Sequence, residues 1–388
     1  MTKIAVVTAT RAEYGLLAPV IGALRRYEND GFRAELIVTG THLNEEYGMT
    51  VREIPDRIDH EVPISVKSRT ETDISRNQAD ALVRFTELFA SQKYDAVILL
   101  GDRYETLAIA VAAGNTRTPV FHLCGGDTTE GALDEWIRHS ITKISYLHFV
   151  TNENSRKRVI QLGEDPARVF NYGSTSMDNI LALADMSRGE ALSSVGLPDG
   201  RYALCTYHPV TMEEGSVDRQ IAALLQAIEA FSDIPFIVTR SNADQGGARI
   251  NELLEEAAGR MDNLHVFASL GARRYLSLMR YAEFVLGNSS SGIIEAPAFH
   301  VPTVNIGDRQ RGRLCPESVI TCGCTTEEIE RAMAEAMTFE HREKCRRVVS
   351  PYGDGHAAER IAKKAYETVM GDPIELKKSF FDLGGQVQ

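Results

Sequence analysis

The sequence predicts an α/β fold with two domains, each built around a parallel β-sheet. Short apolar runs alternate with helical patterns along nearly the whole chain, which is typical of parallel strands buried between layers of helices. This alternation pauses between Met177 and Gly200, where a polar, serine-rich stretch intervenes. A chain of 388 residues is also longer than one ordinary hydrophobic core requires. We therefore expect a first domain over residues 1–180 and a second domain over residues 181–388.

The predicted strands fall into two groups, one on each side of the pause. The first group comprises Lys3–Thr8, Ala34–Thr39, Ala96–Leu100, Val120–Leu123, Leu147–Val150 and Val169–Asn171. The second group comprises Tyr202–Thr206, Pro235–Val238, His265–Ala268, Phe284–Leu286 and Thr303–Ile306. Helical periodicity fills the stretches between them. The last predicted helix, His356–Met370, is a candidate to cross back to the first domain. The tail from Lys377 to Gln388 is predicted to be mobile, with docking of Phe380 and Phe381 on a neighbour as the alternative.

Composition argues against several classes of function. A formal net charge of −12 and a pI near 5.4 argue against a nucleic-acid-binding protein, which usually carries a basic face. No apolar run reaches the ~18 residues of a membrane span, and an apolar strand follows Met1-Thr2-Lys3 directly, so we expect no signal peptide. The six cysteines lack a disulfide rhythm, which suits a cytoplasmic protein. The pair Cys322 and Cys324 lacks the spacing of a zinc site, so no metal is expected.

Polar residues crowd the loops that follow the predicted strands. In open parallel sheets, ligands bind outside the carboxyl ends of the strands, so these loops are the candidate site. They are Thr10–Glu13, Gly40–His42, Gly101–Arg103, Gly125–Asp127, Tyr207–Pro209, Arg240–Asn242 and Asn288–Gly292. Two domains that each present such loops are expected to face one another across a cleft.

Two of these loops are candidates for binding an anionic ligand. The run Asn288–Glu295 follows an apolar strand and opens a helix, so the hydroxyls of Ser290 and Ser291 with free backbone N–H groups would suit a phosphate. Glu295 could then accept hydrogen bonds from a ribose diol. The alternative is a simple serine cap of the helix. Arg11 is a second anion candidate, or else an exposed surface arginine; the missing G-x-G-x-x-G disfavours a nicotinamide cofactor, and no cofactor is expected.

Titratable residues follow the other strands. Asp102 ends a buried-looking strand, and Arg103 is the candidate for its ion-pair partner. A glycine-rich loop from Gly125 to Asp134 holds three carboxylates (Asp127, Glu130, Asp134) and runs into a helix with Arg138 and His139. Clustered carboxylates suit acid/base chemistry, although the helix dipole alone would favour those in the first turn. His208 ends the first strand of the second domain and is a candidate catalytic histidine, and His42 is a weaker one.

These loops together resemble the hydrolysing UDP-N-acetylglucosamine 2-epimerases of sialic-acid-type biosynthesis. The similarity runs in order over nearly the whole chain. Its motifs are Thr10–Tyr14, Val38–Leu43, Gly101–Arg103, Asp134 with Arg138–His139, Ser145–Phe149, His208–Thr211, Gly287–Gly292 and Asn305–Gln310. The resemblance implies a GT-B-like fold of two Rossmann-like domains with the active site in the interdomain cleft. It also implies release of UDP from UDP-N-acetylglucosamine to leave a glycal, followed by addition of water to give free N-acetylmannosamine. We expect a homodimer or homotetramer.

The resemblance also assigns roles by position. Asp102 and Asp134 would be acid/base residues, and His208 would face the leaving diphosphate. The other expected substrate contacts are Arg11, Ser290, Ser291 and Arg309 on the diphosphate, Glu295 on the ribose, and His42, Arg103, Arg138 and Asn242 as further polar residues of the cleft.

One position departs from the family pattern and puts the sugar identity in question. Sialic-acid members carry a Glu directly before the Gly-Gly pair, whereas this chain has Cys124 there and a loop one residue longer that brings in Glu130. A thiol with an ordinary pKa of ~8.5 replaces a carboxylate poorly at neutral pH, so Glu130 or Asp127 would supply the missing carboxylate, or the substrate differs. The alternative substrate is a UDP- or GDP-linked diacetamido trideoxy sugar of the legionaminic-acid route. A GT-B glycosyltransferase, a non-hydrolysing epimerase and a non-catalytic sensor are the alternative functions.

Overall fold

The structure of the chain is a computed structural model that describes residues 1–67, 70–129, 134–209, 217–241 and 246–384. These residues form two compact units. The first unit takes residues 1–127, 134–178 and 352–384, and the second takes residues 128–129 and the described part of 179–351. The chain therefore leaves the first unit after Asp178 and returns to it at Tyr352.

A seven-stranded parallel sheet forms the centre of the first unit, with the strand order β3-β2-β1-β4-β5-β6-β7. Its strands are β1 (Thr2–Thr8), β2 (Phe32–Thr39), β3 (His60–Val62), β4 (Ala96–Leu100), β5 (Val120–Leu123), β6 (Leu147–Val150) and β7 (Val169–Asn171). The strand interiors are buried, which explains why they are visible as apolar runs in the sequence. Because β1 and β4 are neighbours whose connections leave in opposite directions, the sheet has its topological switch point between them.

Helices cover this sheet. They are α1 (Arg11–Arg25), α2 (Glu71–Gln92), α3 (Tyr104–Asn115), α4 (Asp134–Ile144), α5 (Glu153–Gln161) and α6 (Thr175–Leu183), whose last residues pass into the second unit. The final helix of the chain, α14 (Ala357–Met370), also belongs to the first unit and packs on α1. Tyr366 stacks on Tyr27 with ring centroids 4.6 Å apart and meets Phe32 edge-on.

The second unit repeats the same architecture with a six-stranded parallel sheet in the order β10-β9-β8-β11-β12-β13. Its strands are β8 (Ala203–Thr206), β9 (Phe236–Thr239), β10 (Leu264–Phe267), β11 (Val285–Gly287), β12 (Thr303–Ile306) and β13 (Val319–Cys322). Its helices are α7 (Arg188–Ser193), α8 (Val217–Ala230), α9 (Gly247–Ala258), α10 (Gly271–Tyr281), α11 (Ser291–Ile294), α12 (Thr326–Ala336) and α13 (Phe339–Arg347). The prediction of two Rossmann-like α/β sheets is confirmed. β3 and β13, both short edge strands, were not predicted.

The C-terminal tail differs from the prediction of a mobile end. Lys378 donates hydrogen bonds from its ammonium group to the backbone carbonyls of Lys143 and Ser145, at 3.0 and 2.7 Å, and forms an ion pair of 2.6 Å with the buried Glu164. Its cation therefore lies at the C-terminus of α4, where a helix dipole favours positive charge. Phe380 contacts Gly163 of the same unit and is 63% exposed, so its docking on a neighbour stays a prediction. Among the described helices, none has the length and apolar character that would let it cross a bilayer.

Candidate active site

The first candidate cluster lies at the carboxyl ends of the central strands of the first unit and centres on Arg138. The Arg138 side chain is only 1% exposed and forms an ion pair with the Asp102 carboxylate. It also donates hydrogen bonds to the Glu135 carboxylate at 3.1 Å and to the Asp127 carbonyl at 2.9 Å. Burial would lower the pKa of Arg138, but the charge and hydrogen bond of Asp102, together with the charges of Asp127 and Glu135, raise it overall. The cluster therefore holds a permanent cation against two half-buried carboxylates, Asp102 and Glu135, and we call these residues the Asp102 cluster.

The prediction that Arg103 is the ion-pair partner of Asp102 is wrong. Arg103 instead donates from Nε to Glu105 at 2.6 Å. The backbone at Arg103 is extended, with φ −79° and ψ 156°. Because successive side chains of extended backbone point to opposite sides, Asp102 and Arg103 diverge and each takes a different partner.

The loop that carries Asp102 is held in place by His122, a residue that the sequence did not single out. The His122 ring is fully buried on β5, and its Nε2 lies 2.8 Å from the carbonyl oxygen of Gly101. Burial lowers the pKa of His122 to about 4, so the ring is neutral at pH 7 and donates its single N–H to that carbonyl. This contact fixes the peptide directly before Asp102. Its position near a buried strand end, three residues before the Gly-Gly pair, was the signal available in the sequence.

Close packing explains the Gly-Gly pair that follows Cys124. A Cβ on Gly126 would lie 2.3 Å from the Ser155 carbonyl oxygen, and one on Gly125 would lie 2.9 Å from Nδ1 of His122. Cys124 itself adopts a left-handed backbone with φ 64°, which is costly for a residue other than glycine. Its half-buried side chain packs against the apolar core of the first unit.

Asp127, one of the two carboxylates predicted to replace the family Glu, forms structural hydrogen bonds. It is 9% exposed, and its Oδ1 accepts hydrogen bonds from Ser155 at 2.5 Å, Thr151 at 3.0 Å and Asn152 at 3.5 Å. These contacts tie the Gly-Gly loop to the start of α5. The other candidate, Glu130, lies outside the described residues, as does Asn242. Asp134 is half-buried at the first residue of α4, one turn before Arg138.

A second carboxylate pair lies at the switch point between β1 and β4. Glu13 accepts backbone hydrogen bonds from Ala9 at 2.8 Å and Thr10 at 3.2 Å, and thereby closes a capping box at the start of α1. Burial and the charge of Glu105 raise the pKa of Glu13 from 4.5 to about 7, although Arg103 opposes this. One oxygen each of Glu13 and Glu105 is buried and has no hydrogen-bond partner among the described residues. Glu13 is therefore suited to hold a proton near neutral pH.

Glu13→Gln is expected to reduce the pH dependence of stability. A raised carboxyl pKa means that the folded state retains a proton which the unfolded state has lost, so the free energy of unfolding of the native protein falls as pH rises from about 5 to about 8. Gln cannot ionise. The free energy of unfolding of the variant, relative to that of the native protein, should therefore rise by up to about 3 kcal/mol across this range. The single tryptophan, Trp136, lies on α4 and reports urea unfolding of the first unit by fluorescence.

The matched control for Glu13 is Asp73→Asn, which removes the corresponding capping-box carboxylate at the start of α2 in the same unit. This variant should show no comparable gain with pH. Parallel curves for Glu13→Gln and the native protein would contradict the raised pKa of Glu13.

Two other predicted substrate contacts in the first unit differ in their availability. Arg11 is the first residue of α1 and forms a 3.2 Å ion pair with Glu53, and both side chains are about half exposed. Such an exposed pair is weak and can exchange for a ligand. His42 is 1% exposed, and its ring nitrogens lie 3.1 Å from Thr8 Oγ1 and 2.8 Å from Thr50 Oγ1. In this structure His42 therefore ties the end of β1 to a neighbouring turn, and both of its ring nitrogens are occupied.

The second candidate cluster lies at the strand ends of the second unit and contains His208 and Arg309. His208 follows β8, and its Nδ1 lies 3.4 Å from the hydroxyl of Ser241. Burial, together with the charge of Arg309, lowers the pKa of His208 to about 3, so the ring is neutral at pH 7. The guanidinium of Arg309 donates to the carbonyl oxygen of Asn288 at 3.2 Å. Arg309 therefore supplies positive charge in this cluster, whereas His208 offers a neutral hydrogen-bonding ring.

The serine run of the same unit opens a helix, as predicted, but the helix is short. The helix α11 has only four residues and gives way to a 3₁₀ turn at Ala296–Phe299, so its dipole is small. Ser290, at the N-cap, makes no side-chain capping hydrogen bond, but the Ser289 hydroxyl accepts the backbone N–H of Ser291 at 3.4 Å, so part of the run does cap the helix. Ser291 lies 2.7 Å from the buried hydroxyl of Tyr275 and donates to Ser289. Glu295 follows directly at the end of α11, half-buried. An anion here would be held by hydroxyl and backbone N–H groups.

The known proteins that are similar to this chain match it over most of its length. A family model described as UDP-N-acetylglucosamine 2-epimerase matches residues 25–365. The GDP/UDP-N,N'-diacetylbacillosamine 2-epimerase (hydrolyzing) of Campylobacter jejuni is 36% identical over 387 residues, which are 98% of this chain and 99% of that protein. The UDP-N,N'-diacetylbacillosamine 2-epimerase (hydrolyzing) of Legionella pneumophila is 35% identical and covers 92% of this chain and 94% of its own length.

Two further proteins, both from Neisseria meningitidis, bear on the substrate and on the fold. A UDP-N-acetylglucosamine 2-epimerase is 32% identical over 99% of this chain and 100% of its own length. A crystal structure of UDP-GlcNAc 2-epimerase bound to UDP-GlcNAc matches with a TM-score of 0.80 and 19% identity, over 94% of this chain and 100% of that chain. At that identity the structural match supports the two-sheet fold alone.

Proposed function

This chain belongs to the UDP-N-acetylglucosamine 2-epimerase family, and from that premise we propose that it hydrolyses and epimerises a nucleotide-linked N,N'-diacetylbacillosamine. N,N'-diacetylbacillosamine is a diacetamido trideoxy sugar, the class of sugar that the sequence analysis gives as the alternative substrate. The observation that carries the reaction type is the Asp102 cluster, because it holds a carboxylate on a buried guanidinium at the ligand-binding edge of a sheet. The relatives at 36% and 35% identity support the choice of sugar.

The reaction needs proton transfers on both faces of the sugar ring. A base removes the proton from the second carbon while the bond from the first carbon to the diphosphate breaks, which leaves a glycal and a nucleoside diphosphate. Water then adds to the first carbon, and an acid returns a proton to the opposite face of the second carbon. In this proposal Asp102 and Asp134 perform the acid/base steps, and Arg138 orients Asp102 through their ion pair.

The second unit supplies the nucleotide contacts in this proposal. Arg309 neutralises charge on the diphosphate, and His208 faces the leaving oxygen as a neutral hydrogen-bonding group. Ser290 and Ser291 add hydroxyl donors, and Glu295 accepts from the ribose. Arg11 and Arg103 of the first unit and Asn242 are further proposed contacts. We leave out His42, because both of its ring nitrogens are occupied.

Residue 124 favours the diacetamido sugar over N-acetylglucosamine. In place of the family carboxylate it has a half-buried thiol that packs on the apolar core, so residue 124 supplies no carboxylate to accept hydrogen bonds from sugar hydroxyls. A trideoxy sugar carries a methyl group and a second acetamido group where N-acetylglucosamine carries hydroxyls. UDP-N-acetylglucosamine is the second candidate, supported by the 32% identical relative.

Product analysis tests the proposal. The protein is incubated in deuterated water with the UDP- and GDP-linked forms of N,N'-diacetylbacillosamine and with UDP-N-acetylglucosamine, and no acceptor is added. NMR is expected to show free, epimerised diacetamido sugar with one deuterium at the second carbon, together with nucleoside diphosphate. Faster turnover of UDP-N-acetylglucosamine would favour the second candidate. A product that stays nucleotide-linked, or one without deuterium, would exclude a hydrolysing epimerase.

A further inference from the structure

One fully buried side chain, Asn288, joins the two strand-end loops of the second unit that carry His208 and Arg309. Asn288 directly follows β11. Its Oδ1 accepts the backbone N–H of His208 at 2.7 Å, and its Nδ2 donates to the backbone carbonyl of the same residue at 2.8 Å. The amide therefore satisfies both polar backbone groups of His208, as a neighbouring strand would do, beyond the point where β8 ends.

The backbone before Asn288 brings the two loops close enough for this contact. Gly287 is paired with Thr206 in the sheet and has φ 125°, a conformation that favours glycine. A Cβ at this position would lie 2.0 Å from the carbonyl oxygen of Thr206. That same oxygen accepts the backbone N–H of Asn288 at 3.2 Å. The contact is thus fixed from both the backbone and the side chain.

The carbonyl oxygen of Asn288 holds a third loop. It accepts hydrogen bonds from the Arg309 guanidinium at 3.2 Å and from the amide of the buried Gln310 at 2.8 Å. Arg309 in turn contributes to the lowered pKa of His208. One residue therefore links the loops after β8, β11 and β12, and it keeps a neutral ring and a cation at a fixed separation.

We infer that Asn288 is a positioning residue that sets His208 and Arg309 for departure of the diphosphate. This inference rests on the proposed function for the step that it serves, but the arrangement itself concerns only His208 and Arg309. A displacement of about 1 Å in a reacting group can cost about 100-fold in rate, and Asn288 contacts the His208 backbone directly.

The experiment compares Asn288→Ala with Asn263→Ala, a matched buried asparagine of the same unit. Asn263 also uses its amide on the backbone, donating to the carbonyls of Ile228, Phe231 and Ile234. Both variants lose buried hydrogen bonds, so a general loss of stability should affect both. We expect kcat to fall by about 100-fold in Asn288→Ala and to stay near the native value in Asn263→Ala. Asn288→Asp, which keeps the acceptor but loses the donor to His208, serves if Asn288→Ala does not fold.

Histidine NMR provides a readout that a merely structural role would not change. With ε1-labelled histidine, the His208 signal is assigned by its loss in His208→Gln. It should not titrate between about pH 5 and about pH 8 in the native protein or in Asn263→Ala, and it should titrate in Asn288→Ala once water reaches the ring. This measurement uses no sugar substrate, so it tests the inference even if every sugar nucleotide proves inert. Such inertness would count against the proposed function alone.

A double-variant cycle completes the test. If Asn288 acts through His208, adding Asn288→Ala to His208→Gln should lower kcat no further. Full additivity of the two losses, or a silent His208 signal in Asn288→Ala with native kcat, would overturn the inference.

Discussion

Asp102→Asn is expected to lower kcat by at least about 100-fold, the usual scale for loss of an acid/base group. The substitution keeps the shape of the side chain but removes its charge and its ability to take a proton. KM should change far less, because most of the proposed nucleotide contacts are assigned to the second unit. Release of nucleoside diphosphate under saturating substrate measures kcat directly. Turnover within a few-fold of the native value would remove Asp102 from the mechanism.

The matched control for this prediction is Asp59→Asn. Asp59 is also a buried carboxylate of the first unit, 4% exposed, and forms ion pairs with Arg25, Arg33 and Arg57. It precedes β3, however, and so lies at the amino ends of the strands, away from the ligand-binding edge. Loss of its charge should destabilise the unit, seen by Trp136 fluorescence, while the folded protein keeps its kcat. An equal loss of kcat in both variants would mean that the Asp102 effect is one of folding.

Most of the fold could be predicted from the sequence, because the strands of both sheets are buried on both faces and are therefore visible as apolar runs. Only β3 and β13 were missed. They are short edge strands, and β13 is half-exposed over most of its length, so its apolar signal is weak. The described candidate loops also follow the carboxyl ends of the strands, as the sequence predicted, since parallel strands bring all their carboxyl ends to one edge.

The hydrogen-bond and ion-pair partners of individual side chains could not be predicted from the sequence, because they depend on how the helices, strands and loops pack. Arg103 was chosen for Asp102 by adjacency, yet the partner is Arg138 on α4, which only the packing of α4 against the sheet brings near. Asn288 stood within a recognised motif, but its bond to His208 joins two loops far apart in the chain. Lys378 looked like part of a polar tail, and nothing local marks the buried Glu164 as its partner.

Glu130→Gln is expected to be nearly inactive, whereas Cys124→Ser should retain close to native turnover. The family pattern places a carboxylate at the position of Cys124, and the reaction proposed here still needs one. Within this loop the candidates were Asp127 and Glu130, and the structure has committed Asp127 to Thr151, Asn152 and Ser155. A Glu with an ordinary pKa of about 4.3 is ionised at neutral pH and can accept a proton, whereas an ordinary thiol at about 8.5 is mostly protonated. We therefore assign the missing carboxylate to Glu130 as a proposal.

Steady-state kcat for the two variants, measured side by side with Glu153→Gln as the control, decides this assignment. Glu153 is a half-exposed carboxylate at the start of α5 in the same unit, paired only loosely with Arg156 at 3.4 Å, so its loss should leave kcat unchanged. If Cys124 instead acts as a thiolate base, Cys124→Ser would be inactive and alkylation would inactivate the native protein, with substrate protecting it. An active Glu130→Gln together with an inactive Cys124→Ser would instead identify Cys124 as the proton acceptor. Cys124 directly precedes the Gly-Gly pair, and its backbone at φ 64° is in a costly conformation.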